Sequence, residues 1–413
     1  MTATTATASA RLPGRWMVLS MLVIVRVAMG YQFQSAAGAA PWLIADFGID
    51  YATVGSLIGF YTLPGILVAL PGGYIARRVG EKNLLLFGLA LMTAGGAVSA
   101  VGGLSAFGRD FHWVFAGRLV AALGVVFLFV VMTKAVGDWF QRGERFFAMA
   151  MFLNGWPVGI ALGLIVQPVL ADGLAWHWIF LTSAVLCALA LLTMAATFRH
   201  PPGYFEDVAA AGSKGLGRRA IVLVVVSGLA WSTINSGHIV IVSFAPTFLA
   251  ARGLGAIEAG TVVSLNMWAA ILGVLLGGWF TGRYRGPVTF TAVTLLAGAA
   301  AALMFALDTN YTLWLALSGF IVLMGAGVQA ALPLEALSAG NRALGLGLFY
   351  ALWFLGFALL PTVGGWTRDV SGDPAAPILF GAALIVLTAP LLGLFRLLQR
   401  RWHGPDVPSR RLT

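Results

Sequence analysis

Apolar residues in this chain are grouped in long blocks, and the polar residues between them cluster in short turns. The blocks fall at 17–38, 53–75, 84–105, 113–134, 146–170, 178–197, 221–247, 259–281, 288–307, 311–333, 345–365 and 376–395. Each is close to the roughly 20 residues that a helix needs to cross the hydrocarbon of a bilayer. In lipid every backbone N–H and C=O must be satisfied within the protein, so such blocks are predicted to be helices. The alternating pattern of a membrane barrel is absent. The first block follows a small, polar stretch with Arg11 and Arg15, and it lacks the cleavage site of a signal peptide. The pattern therefore predicts an all-α integral membrane protein with twelve spans.

The blocks also repeat. From Thr53 to Ser105 the chain forms a hairpin of two apolar runs around a basic turn, LPGILVALPGGYIARRVGEK at residues 63–82. A related shape, GVLLGGWFTGRYRGP, returns at residues 273–287. That return at half-chain spacing predicts two related six-helix halves, 1–197 and 221–413. The stretch 198–220, rich in turn formers and both charge signs, joins them as a linker.

Composition sharpens the class. The chain is 60% hydrophobic and only 10% charged, with mean hydropathy +0.91, whereas soluble domains carry about 25% charged residues. The net charge of +10 does not point to nucleic acid, because its placement follows topology. With the N-terminus in the cytoplasm, 19 of the 25 Lys and Arg lie in cytoplasmic segments, 3 in outer loops (Arg109, Arg252, Arg368) and 3 within spans. That asymmetry sets both parity and orientation, with both termini cytoplasmic. The single cysteine, Cys187, excludes an intrachain disulfide and a cysteine metal cluster. GLGLF from Gly345 lacks a Walker lysine, and no zinc-spaced His/Cys set is present. An enzyme is not expected, nor a cofactor or a metal.

The basic turn reads Gly73, Tyr74, Ile75, Ala76, Arg77, Arg78, Val79, Gly80, Glu81, Lys82. It resembles the signature between helices two and three of the major facilitator superfamily, roughly Gly-x-Leu-Ala-Asp-Arg-x-Gly-Arg-Lys. The usual aspartate is Arg77 here, and a usual arginine is Glu81. Gly117, Arg118 and Gly124 resemble the family's fourth-helix signature. Asn154, Gly155, Trp156, Pro157, Gly159 and Gly163 resemble its fifth-helix gating motif. Asp138, Trp139 and Phe140, followed by Glu144 and Arg145, resemble the inner end of helix four in its cyanate permease-like and nitrate/nitrite porter-like branches. The resemblance implies a secondary transporter with a gate at Gly73, Arg77, Arg78, Gly80, Lys82, Glu144, Arg145 and Pro157. Glu335 and Arg342, after span ten, mirror Glu144 and Arg145 and join that gate set.

The polar residues inside the spans carry the functional reading. They include Arg26, Arg118, Lys134 and His238, and no Asp or Glu. Buried charge is costly in lipid and tends to mark a substrate path. Arg26 lies near mid-membrane, as substrate counter-ion or as a structural contact to carbonyls or an aromatic face. For Arg118 the resemblance implies substrate or proton coupling, with structural pinning as the rival. Lys134 reaches toward the cytoplasm or pairs with Asp138. His238 sits in STINSGHIVI with Asn235, where Gly237 suggests a locally opened helix, and it is a proton relay or a helix-interface histidine. Asn266 is a candidate wall of the second half. Tyr31, Tyr61 and Trp353 are candidate rings around the substrate, with packing as the alternative.

The expected function is alternating-access transport of a small anion, such as an organic acid or a cyanate- or nitrate-like ion, across a bacterial cytoplasmic membrane. Proton symport and anion exchange stand as rivals for coupling. Efflux of a neutral or amphipathic compound, or a channel, are the other readings. The expected partners are the small-molecule substrate, protons and membrane lipid, with the chain acting as a monomer.

Overall fold

The computed structural model describes residues 14–68, 79–140, 142–198, 215–283, 286–338 and 341–403. Among them the regular structure is helical throughout. The first half holds α1 (Arg15–Phe47), α2 (Tyr51–Gly59), α3 (Gly65–Val68), α4 (Glu81–Val101), α5 (Phe111–Trp139), α6 (Arg142–Gly173) and α7 (His177–Thr197). The second holds α8 (Arg218–Ala251), α9 (Ala256–Thr281), α10 (Pro287–Leu307), α11 (Tyr311–Val322), α12 (Ala326–Ala336), α13 (Arg342–Ser371) and α14 (Ala376–His403). Eleven helices among the described residues are long and apolar enough to cross a membrane, with α11 and α12 joined as one. The remaining span, α2 and α3, is interrupted.

Two of the predicted spans break for local reasons. After Gly59 the backbone tightens into three-residue turns up to Pro64, which lacks an N–H and so begins a new helix more readily than it continues one. Between α11 and α12 a short 3-10 turn, Leu323–Gly325, takes the place of α-helix. By contrast α8 runs unbroken through Ser232 to Ile241. The local opening expected at Gly237 is therefore absent. Its missing Cβ instead lets α14 come close, since a Cβ there would lie 2.6 Å from the Gly381 carbonyl oxygen.

The halves share one packing pattern. α1 packs on α6 and α7, and α4 on α5 and α7; correspondingly α8 packs on α13 and α14, and α10 on α11 and α14. Between the halves the main seams are α2 with α13 and α6 with α9. Both depend on absent side chains. A Cβ at Gly59 would sit 2.0 Å from the Ala358 carbonyl oxygen, and one at Gly260 would sit 2.2 Å from that of Leu164. Helix association in lipid is driven by such close backbone approach. Large apolar side chains such as Leu192, Val293 and Leu307 stay exposed, as a surface bathed in lipid allows.

The seam between α2 and α13 is latched at the end of the bundle away from the chain termini. The Asp369 carboxylate, near the end of α13, accepts from the Tyr51 and Ala52 N–H groups at 2.9 and 2.7 Å. These are orphan donors of the first turn of α2, where negative charge is favoured. The Arg368 guanidinium lies 3.8 Å from the Tyr51 ring centroid and donates to Thr247 Oγ1. Asp50 caps α2 from its own chain, and hydrogen bonds from the Thr53 side chain and N–H hold its carboxyl below the usual range.

The seam is testable by cross-linking. Ser56 Oγ and Thr362 Oγ1 are 3.2 Å apart, within reach of disulfide geometry. In a Cys187→Ser background, Ser56→Cys with Thr362→Cys should cross-link on mild oxidation. With a protease site inserted in 199–214, the two halves should stay together after cleavage until reductant is added. Halves that separate without reductant would contradict the seam.

Candidate functional site

The candidate residues fall into three separate groups. The first surrounds Arg26, the twelfth residue of α1 and about 17 Å along its axis from Arg15. Arg26 is 7% exposed. Its guanidinium carbon lies 4.3 Å from the Phe129 ring centroid, 4.9 Å from Phe152 and 5.6 Å from Trp156. Nε and Nη1 are buried and have no acceptor. Gly155 makes room for this arginine, since a Cβ there would meet the Arg26 Cβ at 2.8 Å. Tyr350, on α13, borders this cluster through Trp353 and is itself 43% exposed.

The rings around Arg26 continue into the second half. Phe129 lies 5.8 Å from Trp353 and 6.0 Å from Phe354, and Phe33 lies 5.6 Å from Phe357. Trp353 also contacts Tyr350, Phe354 and Phe357. Of the predicted substrate residues, Arg26 and Trp353 are thus brought to one aromatic cluster. Trp353 Nε1 is buried without an acceptor, although a buried indole N–H usually finds one.

The second group is built on Arg118, 2% exposed. Its Nε donates to the Leu57 carbonyl at 2.7 Å, Nη1 to the Gln32 carbonyl at 2.7 Å, and Nη2 to the Phe33 carbonyl at 2.6 Å. Tyr61 stacks beneath it, 4.2 Å from the guanidinium carbon, and donates its hydroxyl to Gln32 Oε1 at 3.0 Å. Every nitrogen of Arg118 is engaged in tying α1, α2 and α5 together. The pinning role describes this geometry, and Phe33 joins the pin to the Arg26 cluster, its ring 5.7 Å from Tyr61 and 5.2 Å from Trp156.

His238 and Asn266 form the third group. Asn266 Nδ2 donates to the Leu315 carbonyl at 2.7 Å and to Ser318 Oγ at 3.1 Å. Its Oδ1 therefore accepts, and His238 Nε2, 2.8 Å away, donates. This network joins α8, α9 and α11. Two predicted residues stand apart. The Tyr31 hydroxyl meets Thr182 Oγ1 at 3.3 Å on α7, and Asn235 donates to Trp231 in its own helix at 2.8 Å.

The gate candidates are distributed differently from expectation. Gly73, Arg77 and Arg78 lie outside the described residues, as do the side chains of Arg145 and Arg342. Gly80 has φ +85°, a conformation L side chains rarely adopt, and so fixes the turn into α4. Lys82 is half-buried in the first turn of α4. Glu81 is buried and pairs with Lys134. Glu144 pairs with Arg15 at 3.0 Å, and Glu335 with Arg396 and Gln399. Each of these pairs stays within one half. Pro157 sits inside α6, next to Trp156 of the Arg26 cage.

The sequence reading allowed an aromatic face for Arg26 but did not name its rings, Phe129, Phe152 and Trp156, or their contacts across the halves. An arginine in a span with glycine-rich neighbours was the one signal, and it does not say which helix supplies the rings.

The sequence model of the Major Facilitator Superfamily matches residues 22–338 and, overlapping, 240–412. The chain is 22% identical over 398 residues to the 4-hydroxybenzoate transporter PcaK of Pseudomonas putida, covering 86% of this chain and 85% of that protein. It is 23% identical over 382 residues to a putative tartrate transporter of Agrobacterium vitis, covering 86% and 84%. Among solved structures it resembles a D-xylose–proton symporter, with TM-score 0.74 at 16% identity over 92% of this chain and 97% of that one. A bacterial homologue of the human lysosomal transporter Spinster, inward-facing and occupied, gives TM-score 0.67 at 18% identity over 94% and 96%. At these identities the two structures speak to the fold.

The Arg118 geometry makes a stability prediction. Arg118→Met removes three charge-assisted hydrogen bonds to carbonyls inside the bundle, at a cost of about 2–4 kcal/mol. Purified variant protein in detergent should unfold several degrees below the parent, whatever ligand is present. An unchanged melting temperature would show that the pin is not structural.

Proposed function

The chain belongs to the Major Facilitator Superfamily, and on that premise we propose that it carries a small organic anion across a bacterial cytoplasmic membrane by secondary active transport. The halves, 1–197 and 221–413, rock about the Arg26 region, with 198–220 as the linker and both termini in the cytoplasm. One observation carries the anion: Arg26 is a buried cation whose Nε and Nη1 lack acceptors, with no carboxylate of the described spans paired to it. A carboxylate supplies two coplanar acceptors for such a guanidinium. The names of the relatives agree, since hydroxybenzoate and tartrate are organic anions.

Coupling follows from the same inventory. Proton symport needs a group that exchanges a proton during the cycle, and among the described residues His238 is the histidine inside the second half's core. With Nε2 donating to Asn266, Nδ1 is the nitrogen left to receive a proton. Anion exchange needs no such group.

Purified protein in liposomes should take up labelled organic anions saturably. Arg26→Ala should lower that uptake at least tenfold, equivalent to about 1.4 kcal/mol or more of lost anion stabilisation. Uptake driven by an inward pH gradient and lost in His238→Gln supports symport, whereas uptake driven only by anion on the far side supports exchange. Anion uptake unchanged by Arg26→Ala would overturn the anion reading.

A further inference from the structure

We propose that the transported anion is an aromatic carboxylate with a second hydrogen-bond acceptor on the far side of its ring. This deepens the organic-anion reading and rests on it. Among the buried donors without acceptors, two residues, one from each half, meet at the same ring. Arg26 Nε and Nη1, from the first half, lie against Phe129, and Trp353 Nε1, from the second half, lies against the same ring. Each orphaned donor is costly where it stands. A ligand with a single polar end satisfies one of the two sites and leaves the other unpaired.

The ring is argued from what separates the donors. Phe129 to Trp353 and Phe33 to Phe357 are ring contacts between the two halves, at 5.8 and 5.6 Å. Any rocking of the halves must loosen such contacts. A flat π ring entering between Phe129 and Trp353 replaces a ring–ring contact with two ring–ligand contacts, and so holds both halves at once. Offset or edge-on aromatic pairs contribute beyond the area they bury, and a saturated ring of the same size lacks that contribution. The carboxylate then lies at Arg26, whose other faces are already covered by Phe152 and Trp156. The second acceptor, a hydroxyl or a second carboxylate, reaches Trp353 Nε1. A site that hydrogen-bonds a substrate group rejects the analogue lacking it, because its own donor is then left unpaired.

The test is equilibrium binding to the purified, full-length protein in nanodiscs, followed by calorimetry. The probes are 4-hydroxybenzoate, benzoate, trans-4-hydroxycyclohexanecarboxylate and tartrate. The proposal expects 4-hydroxybenzoate to bind at least tenfold more tightly than its saturated counterpart, which has the same charge and substituent. Trp353→Phe keeps the stacking face and removes the N–H. It should erase the preference for 4-hydroxybenzoate over benzoate, and a preference that persists in this variant overturns the assignment of the second acceptor to Trp353. Equal affinity for the saturated and aromatic rings in the parent protein overturns the proposal without needing any variant. If tartrate or the saturated acid binds best and Arg26→Ala abolishes that binding, the aromatic inference fails and the organic-anion reading stands. If no probe depends on Arg26, both fail.

Discussion

A positive charge with no counter-ion among the described residues, held among aromatic rings in the middle of a lipid-spanning bundle, is the constraint to which the functional core answers. Removing a guanidinium from water costs several kcal/mol even after the protein relaxes. Three ring faces each return about 0.5–2 kcal/mol, and the missing hydrogen bonds at Nε and Nη1 leave the balance unfavourable. Arg118 shows that the same side chain, at similar burial, has another solution. Its nitrogens reach three carbonyls and it needs nothing from outside. One arginine is a completed structural element, and the other keeps buried donors unpaired, the place where the proposed anion would bind. That difference separates binding from scaffolding more sharply than residue type or depth does.

The surrounding fold serves this asymmetry. Arg118 and Gln32 fix α1 against α2, α4 and α5, so the helix carrying Arg26 is held within a rigid half. Gly155 lets α6 approach the arginine's stem, and Trp156 then covers the guanidinium. Across the molecule, glycine-lined seams bring α2 onto α13 and α6 onto α9 with backbone in direct contact. Asp369 on the first turn of α2 closes the end away from the termini. The polar pairs described at the other end, Arg15–Glu144, Lys134–Glu81 and Arg396–Glu335, each stay inside one half.

The span layout and the isolation of Arg26 are legible in the sequence because hydrophobic length and charge placement are local properties. The basic turn and the fourth- and fifth-helix motifs name the family correctly for the same reason. The local opening expected beside Gly237 is not found, since a small residue between polar ones permits either a broken helix or a close helix contact. Here Gly381 on α14 decides it. The roles of Arg118 and Tyr61 are not legible, because carbonyls of α1 and α2 reach them only through tertiary packing. Glu81 shows the same limit. It departs from the family pattern in the basic turn, yet one of its partners, Lys134, comes from the far end of α5. The aromatic cage is the hardest to foresee, since Phe129 and Trp353 meet across the two halves and phenylalanine is common in every span.

The most direct measurement of the central claim is the ligand-free stability of Arg26→Met. Replacing an uncompensated buried charge by an apolar side chain of similar length relieves desolvation without opening a large cavity. The account predicts that the variant, purified in detergent without anions, unfolds at a higher temperature than the parent, and that added organic anions no longer raise that temperature. A variant that unfolds at a lower temperature than the parent would mean that Arg26 is already satisfied within the protein, and would contradict the account.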